Sequence, residues 1–473
     1  MREKVIVFLN RNYSIFIYCF YVFCGCYLLW LGRSWGLPTM PIQEMDQSSM
    51  LQGAVNIYRG QLPGAGYMYS PVYTLLLFLY VVLSHGDLIT MRVVQILLCG
   101  LIPVFIYKLS LRLRLGRAAG QLGALLYCFY GPALLLSLGF LRAVPLALAF
   151  IVMVYYLVTA FSSRNLMRYG FAGMLGGICI LGRENFFPVV AAPFLMLVFS
   201  DVRRHFRWRF GISFIAGAGI VIMPVMLYNL VKFNSFAVVP GHIDNVLGIY
   251  HGSEAVADSY QALKSILKNI PAQIYNFSGS YEIPDKISFY SHRETLSFLW
   301  IFIIPFNLLF GIAAAACFFM RKHRGLFLLF FICLIYAGSM VFITMFYRFR
   351  IPVVPLLCVL AGSGCIAIVN SFKNQHAVKG VVALCLIAAF FFATYIAPAT
   401  RRKPQERRAV AAFYISAGMY AAAENYIDEL HKEGVNTQQL ERYMLKSLYN
   451  DNQKQWAEVL LKKWKPYLKI TNK

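Results

Sequence analysis

Long apolar runs separated by short basic loops fill the chain from Ser14 to about residue 397, after which the pattern turns charged and helical. The runs fall at about 14–32, 91–110, 119–137, 143–161, 168–182, 185–200, 211–231, 296–320, 325–346, 351–370 and 378–397. A helix needs about 20 mostly apolar residues to cross a bilayer. Backbone groups in hydrocarbon must pair within their own segment, so such runs are expected to be helices. The alternation of a membrane β-barrel is absent. A further run, Val72 to Leu83, has only 12 residues and is too short for a full crossing. The expected architecture is an all-α polytopic membrane protein with about 11 spans, helices lying at the outer surface, and a small α-helical C-terminal domain.

Charge sets the topology. Hydrophobic residues make up 59% and charged residues 14% of the chain, against about 25% charged in a soluble domain. The net charge is +24, and its arginines and lysines gather between spans, at Lys108 to Arg117, Arg164 and Arg168, Arg203 to Arg209, Arg321 to Arg324, and Lys373 and Lys379. The positive-inside rule places these loops and the N-terminus on the cytoplasmic side if Val72 to Leu83 does not cross. The charge therefore belongs to topology, and nucleic acid is excluded as a partner. Three segments are left facing outward: the first loop with its surface helices (33–90), a long loop (232–295) and the tail (401–473). All 11 cysteines fall inside apolar runs, so a disulfide framework is not indicated. Ser14 to Leu31 reads as an uncleaved first span.

The tail repeats apolar residues at helical spacing, with Gly434-Val435-Asn436 as a break between two hairpins. This pattern resembles tetratricopeptide-type repeats and marks a packing domain or a dock for a partner protein. Arg401, Arg402, Lys403, Arg407 and Arg408 follow the last span on the outer side, against the positive-inside pattern; either they meet anionic headgroups or phosphates, or one span is miscounted.

Carboxylates are scarce: Asp and Glu number 20 in 473 residues, and eight of those follow position 400. Glu44 and Asp46 in the first outer loop are thus candidates for chemistry, each with the plainer alternative of solvating the loop. Span centres carry no ionisable residue, which disfavours an ion-coupled transporter. Ionisable groups sit instead at the outer ends of spans: Arg92, with the polar Gln95 beside it, Arg142, Arg183 and Glu184 in Arg183-Glu184-Asn185, and the arginines of Phe346-Tyr347-Arg348-Phe349-Arg350-Ile351-Pro352. Arg92 reads as an interfacial cap on its span.

Asp46, Gly60, Tyr69-Ser70-Pro71-Val72-Tyr73 and the Tyr347-Arg348-Phe349-Arg350-Ile351-Pro352 turn together resemble membrane glycosyltransferases of the GT-C fold, in the bacterial branch of glycosyltransferase family 39. The resemblance covers about residues 1–400, taken as the catalytic module. It implies a polyprenyl-phosphate sugar donor, an exoplasmic active site, and a protein, lipid or glycan acceptor, in a bacterial inner membrane. By resemblance Asp46 holds the position of the catalytic base, with Glu44 as the alternate. Arginine forks suit a phosphate leaving group, so Arg348 and Arg350, then Arg142 and Arg183, are the expected phosphate ligands. Tyr69, Ser70, Tyr73 and Glu184, with His242, Asp244 and Asn245 of the long loop, are the remaining substrate-site candidates. Displacement with a single base would invert the anomeric centre.

Two departures stand out. Some relatives carry Lys directly before the Pro of the surface helix, where this chain has Ser70. In Gly241-His242-Ile243-Asp244-Asn245-Val246-Leu247-Gly248-Ile249, Asp244 and Ile249 replace two Asn residues of the related pattern. His242, His251 and His292 lack metal-ligand spacing and read as solvated loop residues. Some GT-C enzymes depend on a divalent metal, but no carboxylate cluster here suggests a site for one, and no cofactor is assigned. Two other classes fit the span pattern: a polysaccharide polymerase or O-antigen-ligase-type enzyme relying on Arg and His of the long loop, and a lipid-sugar transporter or flippase without catalysis.

Overall fold

The computed structural model describes residues 12–33, 46–62, 70–190, 208–234, 259–282, 289–320, 323–340, 346–374, 376–395 and 420–466, with isolated positions at 236, 238 and between 408 and 418. Among these, every regular element is helical. The longer ones, in chain order, are α1 (Tyr13–Arg33), α2 (Asp46–Tyr58), α3 (Pro71–Ser84), α4 (Leu88–Cys99), α5 (Leu101–Arg112), α6 (Arg117–Cys128), α7 (Gly131–Leu138), α8 (Ala143–Ser163), α9 (Leu166–Gly182) and α10 (Trp208–Phe233). After these come α11 (Ser259–Ser278), α12 (Phe289–Thr295), α13 (Phe306–Phe319), α14 (Arg324–Met340), α15 (Val354–Lys373), α16 (Ala377–Ala393), and in the tail α17 (Tyr420–Lys432), α18 (Gln438–Asn450) and α19 (Lys454–Trp464).

The protein is an integral, multi-pass membrane protein. Among the described residues, six helical segments are long and apolar enough to cross on their own: Tyr13–Gly32, Leu88–Arg112, Ala143–Ser163, Trp208–Lys232, Ser297–Cys317 and Tyr347–Lys373. The expected run at 119–137 is not one straight helix. It breaks between α6 and α7 with a bend of 57°, and counts as a seventh span only if the two halves are joined. The break falls at Phe129-Tyr130-Gly131-Pro132, where proline removes a backbone donor and clashes with the preceding turn. Helices α3, α9, α14 and α16 are apolar but shorter, at 10–17 residues. Among the described residues, length and composition thus support six or seven crossings, where the hydropathy pattern suggested 11 over the whole chain; most of the 185–200 run lies outside the described residues.

Glycines fix how closely the helices approach. A Cβ on Gly173 of α9 would strike the Phe214 carbonyl of α10, and one on Gly217 of α10 would strike the Gly170 carbonyl of α9. A Cβ on Gly177 would lie 2.8 Å from the Ala218 carbonyl oxygen. Lipid supplies no hydrophobic drive between helices, so small residues that let backbones touch hold such pairs together. Replacing Gly173 with Leu is expected to separate α9 from α10 and to lower the thermal unfolding midpoint of the detergent-solubilised protein. The same substitution at Gly219, where a Cβ would meet nothing within 4 Å, is the control expected to leave the midpoint in place.

Helix α3 packs with α2 and α4 around Met50, Ala54, Tyr73, Leu77, Tyr80, Met91 and Phe140. Its other side, with Leu75, Leu79 and Leu83, is exposed. The tail has its own core, from Val410 through Tyr420, Ile427, Met444 and Leu460 to Trp464. Gly434, at φ 70°, turns the chain between α17 and α18. There Glu441 is buried, taking hydrogen bonds at 2.6 Å from both Thr437 Oγ1 and the His431 ring.

Candidate active site

Contacts bring the start of α8, the end of α9 and the turn before α15 together: Arg142 reaches Gly182, and Arg183 reaches Phe349. Gly182 ends α9 hard against α8: a Cβ there would strike Leu146. This approach lets the Gly182 carbonyl accept from Arg142 Nη1 at 3.1 Å and from Ser70 Oγ at 3.4 Å. Ser70 is fully buried and precedes Pro71, the first residue of α3. Arg183 follows directly, and its guanidinium lies 3.9 Å from the centre of the Phe349 ring. Arg348 approaches the same ring at 5.4 Å and Phe346 at 5.8 Å. Aromatic faces attract such cations through the ring quadrupole. The Phe349 carbonyl is fixed by the Tyr336 hydroxyl at 3.0 Å. Three arginines from three separate turns therefore stand around Gly182 and one aromatic ring. Glu184 joins them: burial pushes its carboxyl up, and the Arg142 charge pulls it back down.

Helix α2 brings the first loop to the same end. A Cβ on Gly139 would lie 3.8 Å from Gln47 Oε1, and Gly139 stands three residues before Arg142. Asp46 is the first residue of α2, one helical turn ahead of the buried Met50 and so on its row.

Arg350 requires a correction. It was expected beside Arg348 as a phosphate ligand, but its side chain is fully buried and already engaged. Nη1 donates to the carbonyls of Phe277 (3.3 Å) and Gly279 (2.6 Å), and Nη2 to the Tyr281 carbonyl (2.6 Å) and Glu282 Oε2 (2.8 Å). Glu282 Oε1 accepts from the Tyr130 hydroxyl at 2.9 Å. Arg350 thus fastens the end of the long loop to the bundle. Tyr73 is likewise a structural residue, buried and donating to Gln95 Oε1 at 2.9 Å.

Residues 69–228 match the dolichyl-phosphate-mannose-protein mannosyltransferase family. The matched stretch holds Ser70, Tyr73, Arg142, Arg183 and Glu184; Asp46 and Arg348 lie outside it. No curated protein matches the chain. Among solved structures, the oligosaccharyltransferase of Archaeoglobus fulgidus in complex with Zn and sulfate is similar at TM-score 0.41 and 15% identity, over 76% of this chain and 48% of its own. The archaeal oligosaccharyltransferase AglB from the same organism, in complex with an inhibitory peptide and a dolichol-phosphate, is similar at TM-score 0.48 and 12% identity, over 88% of this chain and 60% of its own.

Within the stretch that matches the mannosyltransferase family, sequence reasoning undervalued Arg92 and Gln95. Arg92 is no interfacial cap. It is 1% exposed, donates from Nε to the Leu138 carbonyl at 2.9 Å, and stands 4.6 Å from the Phe140 ring. Gln95 Nε2 donates to the carbonyls of Ser137 (2.8 Å) and Gly139 (2.7 Å). Together they hold the end of α7, and so the turn that carries Arg142. Glu44, Tyr69, His242, His251, Asp244, Asn245 and the arginines at 401–407 lie outside the described residues, as does the Asp46 side chain.

His292 is not the solvated loop residue its sequence context suggests. It is buried in α12, and burial pushes its pKa down to about 4. The unfolded imidazole titrates near 6.5, so between about pH 6.5 and 4 the unfolded chain binds the extra proton. Stability is expected to be intact above pH 6.5 and to fall by about 1.4 kcal/mol per pH unit below it. Thermal unfolding of His292→Gln across this range is expected to show a shallower decline than the parent protein.

Proposed function

We propose that the chain transfers a sugar from a polyprenyl-phosphate donor to an acceptor hydroxyl at the exoplasmic membrane face, with inversion at the anomeric carbon. The observation that carries this reading is the convergence of Arg142, Arg183 and Arg348 at the bundle end where α2 begins. The match of residues 69–228 to the dolichyl-phosphate-mannose-protein mannosyltransferase family supports the donor class. In this reading Asp46 takes the proton from the acceptor hydroxyl as the oxygen attacks the anomeric carbon, and the bond to the lipid phosphate breaks. Arg183 and Arg348 receive the charge that develops on the leaving phosphate. Arg142 supports them and holds the Gly182 turn. Preorganised cations at the point where charge develops are usually the largest contribution to such catalysis. Ser70, held on the Gly182 carbonyl, keeps α3 against this cluster, and Arg350 with Glu282 keeps the long loop beside it.

The test is transfer of label from a panel of radiolabelled polyprenyl-phosphate sugars by the protein in proteoliposomes. Arg183→Ala is expected to lose on the order of 10²-fold in rate, the scale of one oxyanion or phosphate ligand. Arg183→Lys is expected to recover part of this, since it restores charge without the paired donors. Consumption of no donor by the folded protein overturns the reading and favours a polymerase, ligase or transporter. Equal rates for Arg183→Ala and parent remove Arg183 from the site.

A further inference from the structure

Helix α11, Ser259–Ser278, lies in the long loop and is the most amphipathic element near the bundle. Its C-terminal end is anchored to the bundle: the Phe277 ring meets Phe306 of α13 edge-on at 5.5 Å, and Ser280 N, just past α11, donates at 3.1 Å to the carbonyl of Thr394, which follows α16. Upstream of that anchor, Leu267 is 55% and Ile274 53% exposed, with Ile270 between them partly exposed. These positions recur at helical spacing and form one row. Lys264 and Lys268 flank it, both exposed, and the helix contains no carboxylate. Asn269 and Asn276 lie on the opposite side by the same spacing. Near the anchor, Trp300, Ile301 and Ile303 are also exposed at the entrance to α13, so the apolar row continues onto surface that a bilayer covers.

We propose that α11 is an interfacial helix whose Leu267–Ile274 row sinks into the boundary of the host bilayer, with Lys264 and Lys268 on anionic headgroups. An amphipathic helix with a basic flank lies in the interface plane with its apolar side in the acyl boundary. Juxtamembrane lysines gain from a negatively charged leaflet. A 20-residue helix spans about 30 Å, so α11 ties a long stretch of the outer loop to the lipid surface. The inference does not depend on the proposed activity.

The experiment uses the full-length protein in nanodiscs, with a fluorescent amino acid incorporated singly at position 267, 274, 269 or 276. Lipids brominated in the acyl chain are expected to quench positions 267 and 274 and to shift their emission to the blue. Aqueous iodide is expected to quench 269 and 276. Lys264→Gln together with Lys268→Gln is expected to reduce bromolipid quenching in phosphatidylglycerol-containing nanodiscs and to leave it unchanged in zwitterionic ones. Equal iodide quenching at all four positions overturns the proposal. So does shielding of 267 and 274 that bromolipids fail to quench, which assigns the row to another segment of the chain. Loss of quenching in the double lysine variant on zwitterionic lipid as well overturns the headgroup assignment.

Discussion

Asp46→Asn is expected to lose sugar transfer by on the order of 10²–10⁴-fold, the range for removing a general base, while the thermal unfolding midpoint stays with the parent protein. The substitution is nearly isosteric and keeps hydrogen-bonding capacity, but an amide does not take a proton at neutral pH. Asp46 opens α2, a helix held by Met50 and Ala54 against Tyr73, Leu77 and Phe140. This packing fixes the backbone that carries Asp46 and does not depend on the carboxylate itself. Glu44→Gln is the companion variant and is expected to retain activity. An active Asp46→Asn beside an inactive Glu44→Gln reverses the two roles. Two active variants leave the first loop without a base and remove the mechanism proposed above.

Glu282→Ala is expected to destabilise the protein by about 3–5 kcal/mol, the cost of stripping one partner from a buried ion pair. Arg350 has no access to solvent and Glu282 is 2% exposed, so the variant leaves the guanidinium buried without its carboxylate partner, beside the Phe306 ring at 4.6 Å. Its other contacts, to the carbonyls of Phe277, Gly279 and Tyr281, are neutral acceptors. Glu282→Gln keeps the shape and the Tyr130 contact and is expected to fall between the alanine variant and the parent. The check is the unfolding midpoint in detergent, with the yield of folded protein from membranes. A Glu282→Ala midpoint equal to the parent shows that the pair contributes nothing net.

Several of these features are legible along the chain and others are not, for definable reasons. Hydropathy marks most helical runs because a spanning helix announces itself locally. The break at Phe129-Tyr130-Gly131-Pro132 is also written locally, in its Gly-Pro pair, but the apolar content on both sides hides it. Arg348 and Arg350 are two residues apart in a helical turn, and residues at that spacing do not face each other. Tyr347–Arg350 is a short helix, so that spacing sends Arg348 toward the Phe349 ring and Arg350 to Glu282. Glu282 leaves no such trace, because the residue that gives it meaning is 68 positions away. Arg92 and Gln95 read as the edge of a span, yet their partners are carbonyls of Ser137, Leu138 and Gly139 on another helix.

Those three carbonyls have an electrostatic consequence. A helix carries about half a negative charge at its C-terminal end, on carbonyls without partners inside the helix. The bend after α6 aims the C-terminus of α7 at the turn that holds Arg142, where an approaching phosphate would meet repulsion. Arg92 places a full positive charge on Leu138, and Gln95 spreads two donors over its neighbours. The broken span therefore presents a neutralised pole to the arginine cluster, and an anion there meets the field of Arg142, Arg183 and Arg348 with little opposition from the helix beneath.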